Sequence, residues 1–166
     1  MKMDLIQPFI NAADAVLAET LQCATSVGAV SMEQEAYRTH GVAALIVVQG
    51  DIEGRIIFDL EPETAKAVTE RLTGSGDTAA PPEMVYEAIC ELANQVIGNA
   101  VTVLNDQGFH FKVHPPEIHT ANRGAASSED TEAVVMCFDT SSGTVFMNIA
   151  MRYNHRRKHD PVLVGG

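Results

Sequence analysis

The chain has 166 residues and a mass of 17.8 kDa, which suits one domain with a buried core. Apolar residues make up 46% and charged residues 20% of the chain, a composition typical of globular proteins and unlike that of disordered or fibrous ones. The formal net charge of −11 excludes nucleic acid and anionic membrane surfaces as main partners, because both would repel the protein.

Cysteine usage and the absence of long apolar stretches indicate a location inside the cell. The three cysteines, Cys23, Cys90 and Cys137, are an odd number without a Cys-x-x-Cys pair, which fits neither a disulfide framework nor a zinc site. The first residues lack the apolar stretch of a signal peptide, and no window approaches the roughly 18 apolar residues of a membrane span. We therefore expect a soluble, reduced, cytoplasmic protein.

The first half of the sequence predicts a helix, a strand, a hairpin and a second helix. Apolar residues recur at helical spacing from about Leu5 to Gln22, and looser alternation follows over residues 27–39. Two β-branched runs then flank Gly50-Asp51, a pair typical of a tight hairpin turn. The elements predicted here are helix 5–22, strand 27–39, strands 42–49 and 52–60, and helix 62–72 with Gly74 at its end.

The second half begins after a stretch rich in glycine and proline, residues 73–82, which predicts a linker. The longest helical pattern follows, and then an extended segment in which Pro115-Pro116 predict a sheet edge or a strand end. The elements predicted here are helix 83–105, extended segment 109–120, polar loop 121–130, and a hairpin of strands 131–139 and 143–153.

The order of elements repeats along the chain, because a long helix, an extended strand and a hairpin occupy residues 5–60 and again residues 83–153. We therefore predict an α+β fold of two duplicated, pseudo-symmetric halves, each a long helix plus antiparallel strands, with the helices packed on the sheet. Residues 1–154 form the single domain. Residues 155–166 form a charged C-terminal tail that we expect to be disordered, and its cluster of basic residues either solubilises the chain or contacts an acidic partner.

The predicted helix over 83–105 carries an unusual polar face. At about 100° per residue its apolar positions fill one broad arc that we expect to face the core. Glu87, Glu91, Asn94 and Gly98 lie together on the opposite side. Each has an ordinary explanation as solvent-exposed surface, although Gly98 costs a helix about 1 kcal/mol relative to alanine. The apolar arc consists of Val85, Ile89, Leu92, Ala93, Val96, Ile97, Ala100, Val103 and Leu104.

The same face also permits a definite chemistry. Residues at i and i+3 point the same way from a helix, so Glu91 and Asn94 can enter a partner's cleft together while Gly98 lets another backbone approach. An amide can orient a water molecule without being ionised, as a glutamine does in some GTPases. Because no Ser, Cys or His stands with them, the face offers no covalent nucleophile. Such a site needs an activated substrate whose metal and electrophile come from elsewhere.

These residues resemble a known family, the CheX branch of the CheC/CheX/FliY phosphatases of bacterial chemotaxis. Its pattern is an acid or serine, three residues, Glu, two residues, Asn, and a Pro 22 residues after the Asn. Glu91-Leu92-Ala93-Asn94 and Pro116 match it. Gly98-Asn99-Ala100 resembles the family's continuation of the helix, and Gln7-Pro8-Phe9 resembles the first residues of CheX proteins. The similarity covers about residues 4–153.

The resemblance implies a phosphatase that removes the phosphoryl group from the phospho-aspartate of a CheY-like response regulator. Asn94 would orient the attacking water, and Glu91 would engage the regulator's active-site lysine. Glu87, Gly98 and Pro116 would contact the partner. The chain would need no cofactor of its own, since the regulator brings Mg²⁺, and it would form a homodimer through sheet edges. The alternative is a CheX-like adaptor that binds a receiver domain, or only dimerises, without hydrolysis.

Two departures from the family pattern bear on these expectations. Glu87 stands where the family usually has Asp or Ser, so a longer acid replaces a shorter group, and this departure affects the role of the position more than it affects the motif. The first helix contains no Glu-x-x-Asn, whereas CheC-like members often carry the motif in both halves. The resemblance therefore implies one site, as in CheX.

Three histidines offer a competing metal hypothesis. His110 and His114 would lie about 13 Å apart on an extended strand, and two prolines separate His114 from His119. One ion could bind them only if this segment folded back on itself. We therefore predict no metal site, and we expect the segment His114-Pro115-Pro116-Glu117 either to have a structural role or to line the surface near Pro116.

Overall fold

The structure is a computed structural model that describes residues 3–22, 26–33, 37–74, 81–120 and 132–154. The predicted linker, the polar loop and the tail fall mostly or wholly outside these ranges. The described elements are α1 (Met3–Leu21), β1 (Ser26–Glu33), β2 (Val42–Gly50), β3 (Ile52–Leu60), α2 (Pro62–Thr73), α3 (Pro82–Asp106), β4 (Phe111–Val113), β5 (Glu117–Thr120), β6 (Ala133–Thr140) and β7 (Gly143–Tyr153).

The described strands form one antiparallel sheet whose order confirms the predicted duplication. The order is β1-β6-β7-β3-β2, with β4 and β5 both paired to the outer side of β2. Exchanging the halves replaces β2 by β6, β3 by β7 and β1 by the β4–β5 segment, and it returns the same order read from the other edge. In each half, the first extended segment therefore pairs with the hairpin of the other half.

The core lies between this sheet and the helices α1 and α3, which pack against each other. Side chains alternate across each strand, so Ile56, Phe58 and Leu60 of β3 face the helices. Phe9 of α1 and Leu92 of α3 meet them and are completely buried. Burying one such side chain contributes about 1.5–3 kcal/mol, so this shared core joins both halves into one folding unit.

The opposite sheet face holds a buried carboxylate. Asp59 is inaccessible to solvent and accepts hydrogen bonds from Tyr37 Oη (2.8 Å), Thr39 Oγ1 (2.7 Å) and the His40 backbone N–H (2.6 Å). These donors satisfy the charge, because an unpaired buried carboxylate would be costly. β1 (Ser26–Glu33) covers only the first part of the strand predicted over residues 27–39, and Tyr37 and Thr39 bond to Asp59.

A close backbone crossing fixes the register of the two central strands. Gly54 of β3 has a φ of +149°, and a Cβ placed there would lie 1.9 Å from the carbonyl oxygen of Ala150 in β7. Only glycine fits such a contact.

No helix among the described residues is long and apolar enough to cross a membrane.

Candidate functional site

The helix α3 begins at a proline and is longer than the pattern predicts by a residue at each end. Pro82 stands in its first turn, where the missing N–H is not needed, and the helix ends at Asp106. Ile89 and Val96 are buried as predicted. Their burial fixes the rotation of the helix, and with it the direction of the polar face.

The structure brings four predicted site residues together on one exposed strip of α3, which we call the α3 strip: Glu87, Glu91, Asn94 and Gly98. The side chains of Glu87, Glu91 and Asn94 make no hydrogen bond or ion pair with the described residues, so their polar atoms are available to a partner. A Cβ at Gly98 would meet no atom within 4 Å, so packing within the chain does not require glycine there. Thr102 Oγ1 donates to the Gly98 carbonyl at 3.0 Å.

Two apolar positions of α3 differ from the prediction. Val85 is only half-buried, and Val103 is exposed at 44% of its surface although the helical wheel placed it in the core arc. Val103 lies at the side of that arc beside α1, where α1 presents the small side chains of Ala12 and Ala15. These leave a groove that a valine cannot close.

Pro116 lies on a different element from the α3 strip. It is half-buried between β4 and β5 at the edge of the sheet, as the double proline predicted, so its partner-binding role stays a prediction. The neighbouring His114 bonds through Nε2 to Gln49 Oε1 at 2.9 Å, and His119 lies 3.5 Å from Glu117. Within the described ranges no three His, Cys, Asp or Glu side chains are grouped as metal ligands.

The cysteines play no visible part in the site. Cys90 of α3 is half-buried, and this burial raises the pKa of its thiol, so the reactive thiolate is disfavoured at neutral pH. Cys137 is half-buried in β6, and Cys23 lies outside the described residues.

The first helix carries a counterpart of the α3 strip that the motif search missed. An offset of 83 residues sets seven of the ten buried positions of α1 on buried positions of α3, for example Phe9 on Leu92 and Leu21 on Leu104. The same offset sets Asn11 on Asn94. A comparison of the two buried patterns, without any motif, could have found this match. The counterparts of Glu87, Glu91, Asn94 and Gly98 are Asp4, Pro8, Asn11 and Ala15.

Proline at the glutamate position explains why α1 offers no second pair of this kind. Pro8 has no side-chain carboxylate, and its ring removes the helical hydrogen bond to the carbonyl of Asp4. Asn11 is also engaged, since its Oδ1 accepts a hydrogen bond from Gln7 Nε2 at 2.8 Å. The exposed, unpaired Glu-x-x-Asn arrangement therefore occurs on α3 and not on α1.

A groove runs between α1 and α3. Amide side chains and small apolar side chains line it, and Asp4 is its single ionisable residue. Asn99 follows Gly98 in the sequence but points about 100° away from it around the helix, so the groove lies on a different side of α3 from the α3 strip. Its lining residues are Asp4, Gln7, Pro8, Asn11, Ala12, Ala15, Asn99, Val103 and Gln107.

The sequence model of the family described as "Chemotaxis phosphatase CheX" matches residues 42–139, which include all of α3. The chain belongs to the CheX family. A curated relative, the CheY-P phosphatase CheX of Thermotoga maritima, is 30% identical over 79 residues, which are 48% of this chain and 51% of that protein. The chain thus matches about half the length of this relative.

Solved structures of a CheX and of a CheC-like protein extend the likeness to nearly the whole chain. CheX in a CheX–CheY–BeF₃–Mg²⁺ complex from Borrelia burgdorferi is 29% identical, with a TM-score of 0.73 over 91% of this chain and 99% of that one. A CheC-like superfamily protein from Shewanella sp. PV-4 is 23% identical, with a TM-score of 0.79 over 92% and 99% of the two chains. The second likeness concerns the fold alone.

Proposed function

We propose that this CheX-family chain dephosphorylates the phospho-aspartate of a CheY-like receiver domain. The observation that carries the proposal is the α3 strip, where Glu91 and Asn94 are exposed one helical turn apart and bond to no other described residue. The strip contains no nucleophile, so it suits a substrate that is already activated, as an acyl phosphate is.

Asn94 orients the attacking water. The water oxygen forms a bond to phosphorus while the bond from phosphorus to the aspartate oxygen breaks. The aspartate carboxylate is the leaving group, and the inorganic phosphate that forms keeps both protons of the water. A neutral amide suits this step because it can accept a hydrogen bond from the water and donate one to a phosphoryl oxygen. Correct placement of reactants can supply orders of magnitude in rate.

Glu91 engages the receiver's active-site lysine and thereby sets the register of docking. A carboxylate one turn before Asn94 adds a charge-assisted hydrogen bond that a neutral side chain cannot make. Glu87 and Gly98 extend the contact along the helix, and Pro116 contacts the partner from the sheet edge. The receiver supplies Mg²⁺, which neutralises charge on the phosphoryl oxygens. The chain itself needs no cofactor.

The CheY present in the Borrelia burgdorferi complex supports this choice of partner. We further propose that the chain works in the cytoplasm as a homodimer, which light scattering of the purified chain would test. A CheX-like adaptor that binds receivers without hydrolysis is the competing function. The intact Glu-x-x-Asn sequence favours the enzyme, whereas Glu87, in place of the family's shorter residue, leaves the adaptor open.

The decisive experiment loads cognate receiver domains with a small phosphodonor and follows phosphate loss with and without the chain. We expect acceleration by the wild-type chain and a loss of roughly a hundredfold or more for Asn94→Ala, since the water is then unplaced. Asn11→Ala is the matched control, because this residue holds the equivalent position on α1.

The outcomes separate the candidates. Binding of the BeF₃⁻-loaded receiver without any acceleration would identify an adaptor. Equal acceleration by wild type and Asn94→Ala would refute the catalytic role of Asn94, and no binding to any cognate receiver would refute both functions.

A further inference from the structure

We propose that the receiver docks in one direction along α3, with its active-site lysine over the first half of the helix and its phosphoryl group facing an uncharged second half. The observation that carries this inference is a change of charge at Asn94 along the exposed face of α3. The inference rests on the proposed function, because it assigns the direction in which the same partner lies. It makes the uncharged half a determinant of binding in addition to the Glu-x-x-Asn pair.

The line of exposed residues that begins with the α3 strip continues beyond Gly98. Thr102 and Asn105 follow it at intervals of four and three residues, so they lie on the same side of the helix, and both are exposed. We call Gly98, Thr102 and Asn105 the neutral end of the face. From Asn94 to Asn105 the helix rises about 16 Å, at 1.5 Å per residue. On this line the carboxylates of Glu87 and Glu91 therefore stand before Asn94, and no ionisable side chain follows it.

Charged side chains next to the neutral end point in other directions. Asp106 is turned by about 100° from Asn105 around the helix. Lys112 and Glu117 of the adjacent sheet edge pair with positions of β2 that belong to the sheet face away from the helices. Asp4 lines the groove, which lies on a different side of α3. A partner that rests on the neutral end therefore meets an uncharged surface within the described part of the chain.

The neutral end is also low. Thr102 Oγ1 donates its proton to the Gly98 carbonyl at 3.0 Å, so the hydroxyl is engaged inside the helix and caps a lone pair that would otherwise face the partner. Gly98 presents no side chain, and a Cβ there would meet no atom within 4 Å. A bulky, anionic group can therefore approach this part of the helix more closely than it can approach the glutamates.

The partner supplies charges of both signs, which fixes the direction of docking. A phosphoryl group carries about −1.5 to −2 charges at neutral pH, whereas the lysine is a cation. In the proposed pose the lysine meets Glu91 and the phosphoryl group lies at Asn94, so the anionic side of the receiver continues towards Gly98. The opposite direction would bring the phosphoryl group towards Glu87, and a carboxylate about 10 Å away would repel it even through water.

The equivalent face of α1 carries charge where α3 has none. The offset of 83 residues sets Ala15 on Gly98 and Glu19 on Thr102, and Glu19 is exposed. A receiver that docked on α1 in the same direction would bring its phosphoryl group towards this carboxylate. The neutral end is therefore a second feature, besides the Glu-x-x-Asn pair, that distinguishes α3 from α1 as a docking surface.

The test compares Thr102→Glu, Thr102→Gln and Thr102→Lys for binding to a BeF₃⁻-loaded receiver. All three variants lose the hydroxyl and gain a long side chain, so the comparison isolates the charge. Relative to Thr102→Gln, we expect the glutamate to weaken binding about 2- to 5-fold and the lysine to strengthen it by a similar factor at about 20 mM salt. These differences should vanish at about 1 M salt, where the Debye length is about 3 Å.

Two further variants control for position and for total charge. Glu87→Lys introduces the same cation at the other end of the line and should weaken binding, because it then faces the lysine side of the receiver. Ser31→Glu adds the same negative charge as Thr102→Glu at an exposed position of β1, which pairs with Val135 on the sheet face away from the helices. Its affinity for the receiver should equal that of the wild type.

Each other outcome would overturn the proposal. Equal affinities of the three Thr102 variants at low salt would refute the direction of docking, whereas dephosphorylation by the wild-type chain would leave the proposed function standing. Tighter binding by Glu87→Lys and weaker binding by Thr102→Lys would reverse the direction. A loss in Ser31→Glu as large as that in Thr102→Glu would assign the effect to total charge. No binding of the wild-type chain to any loaded cognate receiver would refute the proposed function as well.

Discussion

The helices α1 and α3 share seven buried positions, but α1 also buries Pro8, Ala12 and Val16, whose counterparts on α3 are exposed. Phe9 corresponds to Leu92 and both are completely buried, whereas Pro8 corresponds to the exposed Glu91. The shared positions face the same sheet, because a pseudo-twofold axis relates the two helices that cover it. The chemistry of the α3 strip is therefore an addition to a duplicated framework, and it can be altered without disturbing that framework.

The largest expected effect concerns the framework itself. Phe9→Ala should lower the free energy of unfolding by about 3–5 kcal/mol and Leu92→Ala by about 2–5 kcal/mol, since each leaves a cavity in the shared core. Denaturant unfolding of both variants measures the losses. A loss below about 1 kcal/mol at either site would mean that the two halves do not share one core as their burial indicates.

The next effect concerns Glu91, which is exposed on α3 at the position that corresponds to Pro8 on α1. Glu91→Ala should lower the rate of receiver dephosphorylation by about 10- to 100-fold, because a hydrogen bond to a charged partner contributes about 1.5–3 kcal/mol. The free energy of unfolding should stay within about 0.5 kcal/mol of the wild type, since Glu91 is exposed and makes no hydrogen bond or ion pair with another described residue. Pro8→Ala tests the counterpart on α1 and should leave the rate unchanged. A slower rate for Pro8→Ala would assign a catalytic role to α1.

A pair of small residues sharpens the comparison further. Gly98→Ala should stabilise α3 by up to about 1 kcal/mol, because the new Cβ meets no atom within 4 Å. The same change should weaken receiver binding, since a methyl group then stands where the partner's backbone approaches. Ala15→Gly makes the reverse exchange at the equivalent position of α1. It should lower the free energy of unfolding without changing the affinity for the receiver. Unaltered receiver affinity in Gly98→Ala would remove Gly98 from the contact.

Much of the fold could be predicted from the sequence because the periodicity of apolar residues and the turn signals agreed. The hairpin at Gly50-Asp51 and the cap at Gly74 follow directly from local chemistry. The exposure of Val103 could not be predicted, because it depends on the small side chains that α1 places opposite it. The hydrogen bonds from Tyr37 and Thr39 to Asp59 could not be predicted either, because they join residues that are 22 and 20 positions apart in the sequence.

The site could be predicted in part for the same physical reason. Glu91 and Asn94 lie on one exposed helix face, a property that local periodicity determines. The relation between Asn11 and Asn94 required the burial pattern of both helices, since no sequence motif survives in α1. The position of Pro116 relative to a docked partner depends on the partner, so neither the sequence nor the isolated chain determines it.

The smallest expected effect distinguishes two acids at equivalent positions, Asp4 on α1 and Glu87 on α3. Desolvation by burial, and then the hydrogen bond and negative charge of Asp4, raise the pKa of Tyr153 above its ordinary value of 10.0. The folded chain therefore holds this proton more tightly than the unfolded chain does. Its contribution to stability is complete below pH 10 and is lost as the pH rises through the raised pKa.

Tyr153→Phe should remove this part of the alkaline decline and cost about 0.5 kcal/mol at neutral pH, because the hydrogen bond is exposed. Thermal unfolding from pH 8 to 11 measures both effects, and Glu87→Ala is the control that should keep the wild-type profile. If Tyr153→Phe had the same dependence of thermal stability on pH as the wild type, Asp4 would not hold the end of β7. Asp4 would then be as free for a partner as Glu87, and the two acids would differ only in the partner that each one meets.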